Sequence, residues 1–146
     1  MHTEITKDSH YNRILLERLN DIVPKIVDAF NPEEIIMYGS YARGDNDIYS
    51  DIDLIIIVEN INMRFQDRSI KVINIISEEG NDDHDIPINP IVYTVEEFTA
   101  MLNNKESFLV SALKESVLLW KKDKNNSVER QLEHNEFESD FKKFIV

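Results

Sequence analysis

The apolar positions change period twice along the chain. From Tyr11 to Phe30, Leu15, Leu19, Ile22, Val23, Ile26 and Phe30 recur three and four apart, as on one face of a helix. Pro24 falls inside this pattern and predicts a kink or two short helices. Asn31-Pro32 ends it. The period then shortens. Glu34 to Tyr38 reads as a short apolar strand, and Asp51 to Val58 as a second. The second is apolar at nearly every position, enough to be central in the sheet. Between them Gly39 and Ser40 turn the chain, a helical turn through Tyr41 and Ala42 follows, and residues 44–50 form a polar loop.

Helical spacing returns from Met63 to Glu78 and predicts a helix carrying Phe65, Ile70, Ile73 and either Ile75 or Ile76 inward. Residues 78–85 are an acidic loop, read as a solvated turn. Ile86 to Thr94 is a third strand. Its two prolines cannot donate to a ladder, so it is either an edge strand or irregular in its N-terminal half. Thr94 with Glu97 three residues on makes a capping box for the next helix. Phe108 to Lys114 is a further helix and Ser116 to Trp120 a last strand. A charged tail follows from Lys121, and residues 131–146 form a helix with Leu132, Phe137, Phe141 and Phe144 on its apolar side. The elements describe an α+β (α/β) chain of one domain over 1–146. Its core is about 33–120, with a helical region over 10–30 before it and the tail over 121–146 after it.

Composition narrows the chemistry. Without cysteine there are no disulfides or thiolate metal sites, and the four histidines lie too far apart for a zinc cluster. The polar start is no signal peptide, and the run from Leu54 to Val58 is too short to span a bilayer, so a cytoplasmic protein without membrane contact is expected. The net charge of −12 and scattered Lys and Arg leave no broad nucleic-acid surface and suit a basic protein partner. The apolar side of the tail offers a face for a homodimer.

The most informative stretch is Met37 to Val58. Two of the three glycines, Gly39 and Gly44, stand there beside Asp51 and Asp53. A strand that ends at a glycine and opens into a helical turn exposes backbone N–H groups to a phosphate, with the Ser40 hydroxyl as one more donor. Two carboxylates two residues apart on a strand share a face and repel. A hard cation such as Mg²⁺ relieves that repulsion and takes phosphate oxygens as well. The chemistry implied is phosphoryl or nucleotidyl transfer. Each half also has a plain structural reading, a Gly-Ser turn and a Ser50-Asp51 cap. Their combination at two strand ends favours a site.

Gly39-Ser40-Tyr41-Ala42-Arg43-Gly44 followed by Ser50-Asp51-Ile52-Asp53-Leu54 resembles the signature of the DNA polymerase beta-like nucleotidyltransferase superfamily, most closely its minimal nucleotidyltransferases. The resemblance covers Glu33 to about Trp120. It implies a mixed sheet with helices packed on one side. It implies that Gly39 and Ser40 bind the triphosphate of ATP or another nucleoside triphosphate, and that Asp51 and Asp53 are catalytic and hold Mg²⁺ or Mn²⁺. Arg43 either braces the loop by pairing with a carboxylate or lies against phosphate, and Tyr41 packs. Active members of the family carry a third acidic residue on a later strand. Here Asn89 falls at that position. It binds metal weakly through its carbonyl and cannot take a proton. Asp85 has the same strand parity but lies about 13 Å further along an extended chain, unless Pro87 and Pro90 bulge the strand. Glu96 and Glu97 fall in the following helix.

Three functions are compatible with this pattern. One is transfer of a nucleoside monophosphate, AMP by preference, to a hydroxyl acceptor. Minimal members are often encoded beside a small helical HEPN-domain toxin, and some modify a tyrosine on it, which would make this chain an antitoxin. The second is a catalytically impaired module that binds nucleotide or such a partner. The third, antibiotic nucleotidylation, usually needs a further substrate-binding domain.

Overall fold

The computed structural model describes residues 9–77 and 86–123. The expected acidic loop over 78–85, with Asp85, and the expected terminal helix over 131–146 lie outside them. Helix α1 (Ser9–Phe30) runs through Pro24 as one helix, so of the two arrangements expected at the proline the two short helices are not found. Leu19 and Ile22 before the proline and Ile26 after it are all buried. That packing holds the helix through the one backbone bond that proline removes. Asn31 ends it with a positive φ of 49°, its N–H donating to the carbonyl of Val27.

Four strands form one mixed sheet in the order β3-β2-β1-β4. Strand β1 (Glu34–Tyr38) is antiparallel to both β2 (Ile52–Val58) and β4 (Val117–Lys121). Strand β3 (Ile88–Thr94) runs parallel to β2 at the edge, where its prolines are tolerated. The parallel pair needs a crossover, supplied by α3 (Phe65–Ile76). The single turn α2 (Ser40–Arg43) joins β1 to the loop before β2. Helices α4 (Val95–Asn103) and α5 (Ser107–Lys114) lie between β3 and β4. Lys121, the first residue of the expected tail, is the last of β4 and pairs with Glu34.

The helices divide between the two faces of the sheet. Ile35 and Met37 of β1, with Ile52, Leu54, Ile56 and Val58 of β2, pack against α1 and α3. Ile36, Tyr38, Ile55, Ile57 and Tyr93 point the other way, toward Phe98 of α4 and Leu109 and Ala112 of α5. A sheet covered on one side would leave this second set in water. The strands are apolar on both faces, so both are covered. Helices were expected on one side only; α1 and α3 cover one face and the α4–α5 pair covers the other.

Helix α3 is rotated relative to its expected orientation. Arg68, Val72 and Ile76 face inward, whereas Phe65, Ile70 and Ile73 are exposed. Both sets fit helical spacing. The buried Arg68 decides between them. Its guanidinium donates to the carbonyl of Val92 at 3.0 Å and grips the Glu97 carboxylate with two bonds of 2.8 and 3.2 Å. Glu97 also completes the capping box with Thr94. One arginine thus ties α3 to the junction of β3 and α4, and this fixes which side of α3 meets the sheet.

Candidate functional site

Three residues at one end of the sheet share a rung. Tyr38 is in register with Asp53 across the β1–β2 ladder, and Asp53 with Asn89 across the β2–β3 ladder. By strand alternation all three point to the face covered by α4 and α5. Asp53 therefore leaves a strand whose next residues on that face, Ile55 and Ile57, are core. It sits where the apolar layer ends.

Gly39 directly follows this rung. Its φ is 83°, and a Cβ there would strike Oδ2 of Asp53. Glycine is required twice, once for the backbone and once for the close approach. Tyr41 is buried beneath α2 and anchors the turn, as its packing role requires. Gly44, at φ 87°, closes the turn with its N–H on the carbonyl of Ser40. One helical turn carries little dipole. A phosphate here would rest on the Ser40 hydroxyl and nearby backbone N–H groups.

The loop that follows is self-supporting. The Asp47 carboxylate accepts from the Tyr49 amide at 2.9 Å and from the Ser50 hydroxyl at 3.2 Å. This brings the chain to Asp51, exposed and just before β2. Asp51 is one residue short of the strand on which the sequence placed it. Its charge still reaches Asp53. Burial first, and then the Asp51 charge, hold the Asp53 carboxyl above its ordinary pKa, while the Asn89 hydrogen bond and the charge of Arg43 pull the other way. Burial and the charge of Asp53 push the Tyr38 phenol up to about 12, so it stays neutral.

Asn89 Nδ2 donates to Asp53 Oδ1 at 3.0 Å. The position expected from the strand alignment therefore lies against Asp53, with an amide where a carboxylate was sought. Arg43 donates from Nε to Asp45 at 3.2 Å. This is the loop-bracing arrangement, and the side chain still borders the cleft described next.

Gly39, Ser40, Arg43 and Asp53 line one cleft of about 370 Å³. Phe108, Ser111 and Ala112 of α5, with Glu115 just after it, form the α5 wall of the same cleft. Sequence reading missed this wall. Its only signal is the three- and four-residue spacing of Phe108, Ser111 and Glu115, which also suits an ordinary solvated helix face. A larger cavity of about 590 Å³ is lined by α3 residues such as Asp67 and Lys71 and holds none of these groups.

Among the described residues no cluster of three or more His, Cys, Asp or Glu could hold a metal unaided. A Mg²⁺ that keeps its waters and takes phosphate oxygens needs only one or two carboxylates. Asp51 and Asp53 supply two. A cation beside Asp53 would offset the burial and like charge that raise its pKa. The donor set fits such an ion when a phosphate completes it. Among the described residues no helix is long and apolar enough to cross a membrane.

The family model of a nucleotidyltransferase domain matches residues 16–144. Over 96 residues the chain is 32% identical to a Methanocaldococcus jannaschii protein that bears the name of a protein adenylyltransferase, covering 65% of this chain and 91% of that protein. A second M. jannaschii protein of that name is 37% identical over 82 residues, 55% of each chain, so this chain spans about half of that relative's length. Among solved structures, one from Sulfolobus solfataricus described as a nucleotidyltransferase superposes at a TM-score of 0.51 and 25% identity. It covers 85% of this chain and 93% of its own. The four-stranded mixed sheet, the Gly-Ser turn and these matches agree: the chain belongs to the nucleotidyltransferase domain family and is a minimal nucleotidyltransferase of the polymerase beta-like superfamily.

Proposed function

We propose that this protein transfers AMP from ATP to a hydroxyl on a protein acceptor. The observation that carries this reading is the packing of Gly39 onto Asp53, which sets a candidate phosphate turn directly against a candidate metal carboxylate. Gly39 and Ser40 receive the triphosphate, with Arg43 released from Asp45 to join them. Asp51 and Asp53 hold the divalent cation, Mg²⁺ or Mn²⁺. That cation, when bound, neutralises the triphosphate oxygens and eases departure of pyrophosphate. The acceptor oxygen attacks the α-phosphorus, the bond to the bridging oxygen breaks, and the acceptor's proton leaves to water or a base. The names of the M. jannaschii relatives support both the adenylyl group and a protein acceptor. The resemblance noted in the sequence favours a tyrosine on a HEPN-domain toxin in the same cytoplasm.

Asn89 favours a second reading. It cannot accept the acceptor's proton, so nucleotide binding would outlast fast turnover, and the chain would neutralise its partner chiefly by contact. One experiment separates the two. The protein is incubated with Mg-ATP and a HEPN-domain protein, and both are weighed by mass spectrometry. A covalent adenylyl group on the partner establishes transfer. A stable complex with unmodified partner supports the second reading.

A further inference from the structure

The cleft is lined by two chemically different sets of residues. Ser40, Arg43 and Asp53 come from the β1–α2–β2 region, and Phe108, Ser111 and Glu115 from α5 and its end. Helix α5 creates the second by its own periodicity. Leu109 and Ala112 are turned into the core. The three- and four-residue steps from Phe108 to Ser111 to Glu115 run along the neighbouring side. Phe108 is fixed by the ring of Tyr38, which meets it edge to face at 5.7 Å and 83°. It nevertheless stays 41% exposed, so part of its ring is open to the cleft it lines. Tyr38 is thus shared. It flanks Asp53 in the sheet register and braces the ring of Phe108.

We propose that this face of α5 is the nucleoside wall of the site, where Phe108 stacks on the base and Glu115 accepts a hydrogen bond from a ribose hydroxyl. The proposal rests on the nucleotide reading above. A carboxylate repels triphosphate oxygens and accepts from hydroxyl groups. Glu115 therefore sets the direction of the nucleotide, with phosphates toward Ser40 and sugar toward α5. An exposed aromatic ring takes any base by its π-face. A cleft of this volume lies in the range of small-molecule sites. Selectivity for the sugar would then come from Glu115, and general affinity for the nucleoside from Phe108.

The test compares two ligands by calorimetry, Mg-ATP and Mg-tripolyphosphate, in wild type, Phe108→Ala, Phe108→Leu and Glu115→Gln. The leucine variant keeps apolar volume against Tyr38 and serves if alanine unfolds the helix. Loss of the ring should weaken Mg-ATP about tenfold and leave Mg-tripolyphosphate unchanged. Glu115→Gln should narrow the preference for ATP over 2′,3′-dideoxy-ATP. Equal weakening of both ligands, or wild-type Mg-ATP affinity without the ring, would overturn the wall. Wild type that binds tripolyphosphate but gains nothing from the nucleoside would overturn it too, leaving the phosphate turn standing. Wild type that binds neither ligand would overturn the nucleotide reading itself, and the wall with it.

Discussion

The amide of Asn89 donates to Oδ1 of Asp53 across the parallel β2–β3 rung at 3.0 Å. Asn89 therefore does two things at once. It satisfies a carboxylate that burial and Asp51 make costly to ionise, and it leaves the site without a proton acceptor at that position.

Replacing Asn89 with aspartate should separate these effects. Without metal, Asn89→Asp removes a donor and adds a like charge, so Tm should fall by a few degrees. Mg²⁺ should restore it. In the presence of Mg-ATP and acceptor, transfer should rise by about a hundredfold, the lower end of what a positioned base contributes. A variant that binds Mg-ATP yet shows no gain would mean that proton removal does not limit the reaction.

Gly39→Ala should fail for two reasons. The φ of 83° strains any side chain, and the added Cβ meets Asp53. The expected cost is about 2 kcal/mol in urea denaturation. Relief by displacement of Asp53 should also weaken Mg²⁺-dependent nucleotide binding in the protein that remains folded. Normal binding in that variant would show that Asp53 need not hold its present position.

The Arg68–Glu97 clamp should show itself in acid. The Arg68 hydrogen bond, more than any other influence, holds Glu97 below its ordinary value of 4.5. A lowered folded pKa adds stability above the unfolded value, and this is lost as pH falls through the folded one. The loss should therefore begin below about pH 4.5. Glu97→Ala should remove that acid-sensitive component. At neutral pH it should cost about 2 kcal/mol, because Arg68 is left buried and the helix cap is lost. Asp53, held high, acts in the opposite direction, so the two are distinguished by Asp53→Asn, which should leave the Glu97 component in place.

Helix α3 gives a test of facing. Ile70→Glu should change stability by less than about 0.5 kcal/mol, whereas Val72→Ala should cost about 2 kcal/mol. The exposed and buried positions of these residues predict that difference, and chemical denaturation of the two variants measures it. Equal costs would place α3 in the other orientation.

That helix also marks the limit of what the sequence discloses. Periodicity places α3 in the chain but leaves two apolar stripes open, and a buried arginine chooses between them. A charged residue at an inward position gives no hydropathy signal. The strands were legible because β1 and β2 are apolar at almost every position, and the turn because glycine is scarce and stands beside two aspartates. The second helical layer was not anticipated: the expectation was helices on one side, and the inward residues of α4 and α5 became apparent only with the sheet in place. Asn89 was legible only through the resemblance to the family, since its partner lies 36 residues away. The α5 wall was not, because Phe108 and Glu115 gain meaning only when the fold brings them to the cleft that Asp53 lines.

The most direct measurement is calorimetric titration of Mg-ATP into the wild-type protein and into the Asp51→Asn/Asp53→Asn double variant. The account predicts metal-dependent binding by wild type. In the double variant that binding should be lost, while Tm holds or rises because two repelling carboxylates are gone. Equal Mg-ATP binding by both proteins would contradict the central claim that Asp51 and Asp53 hold the metal of a nucleotide site.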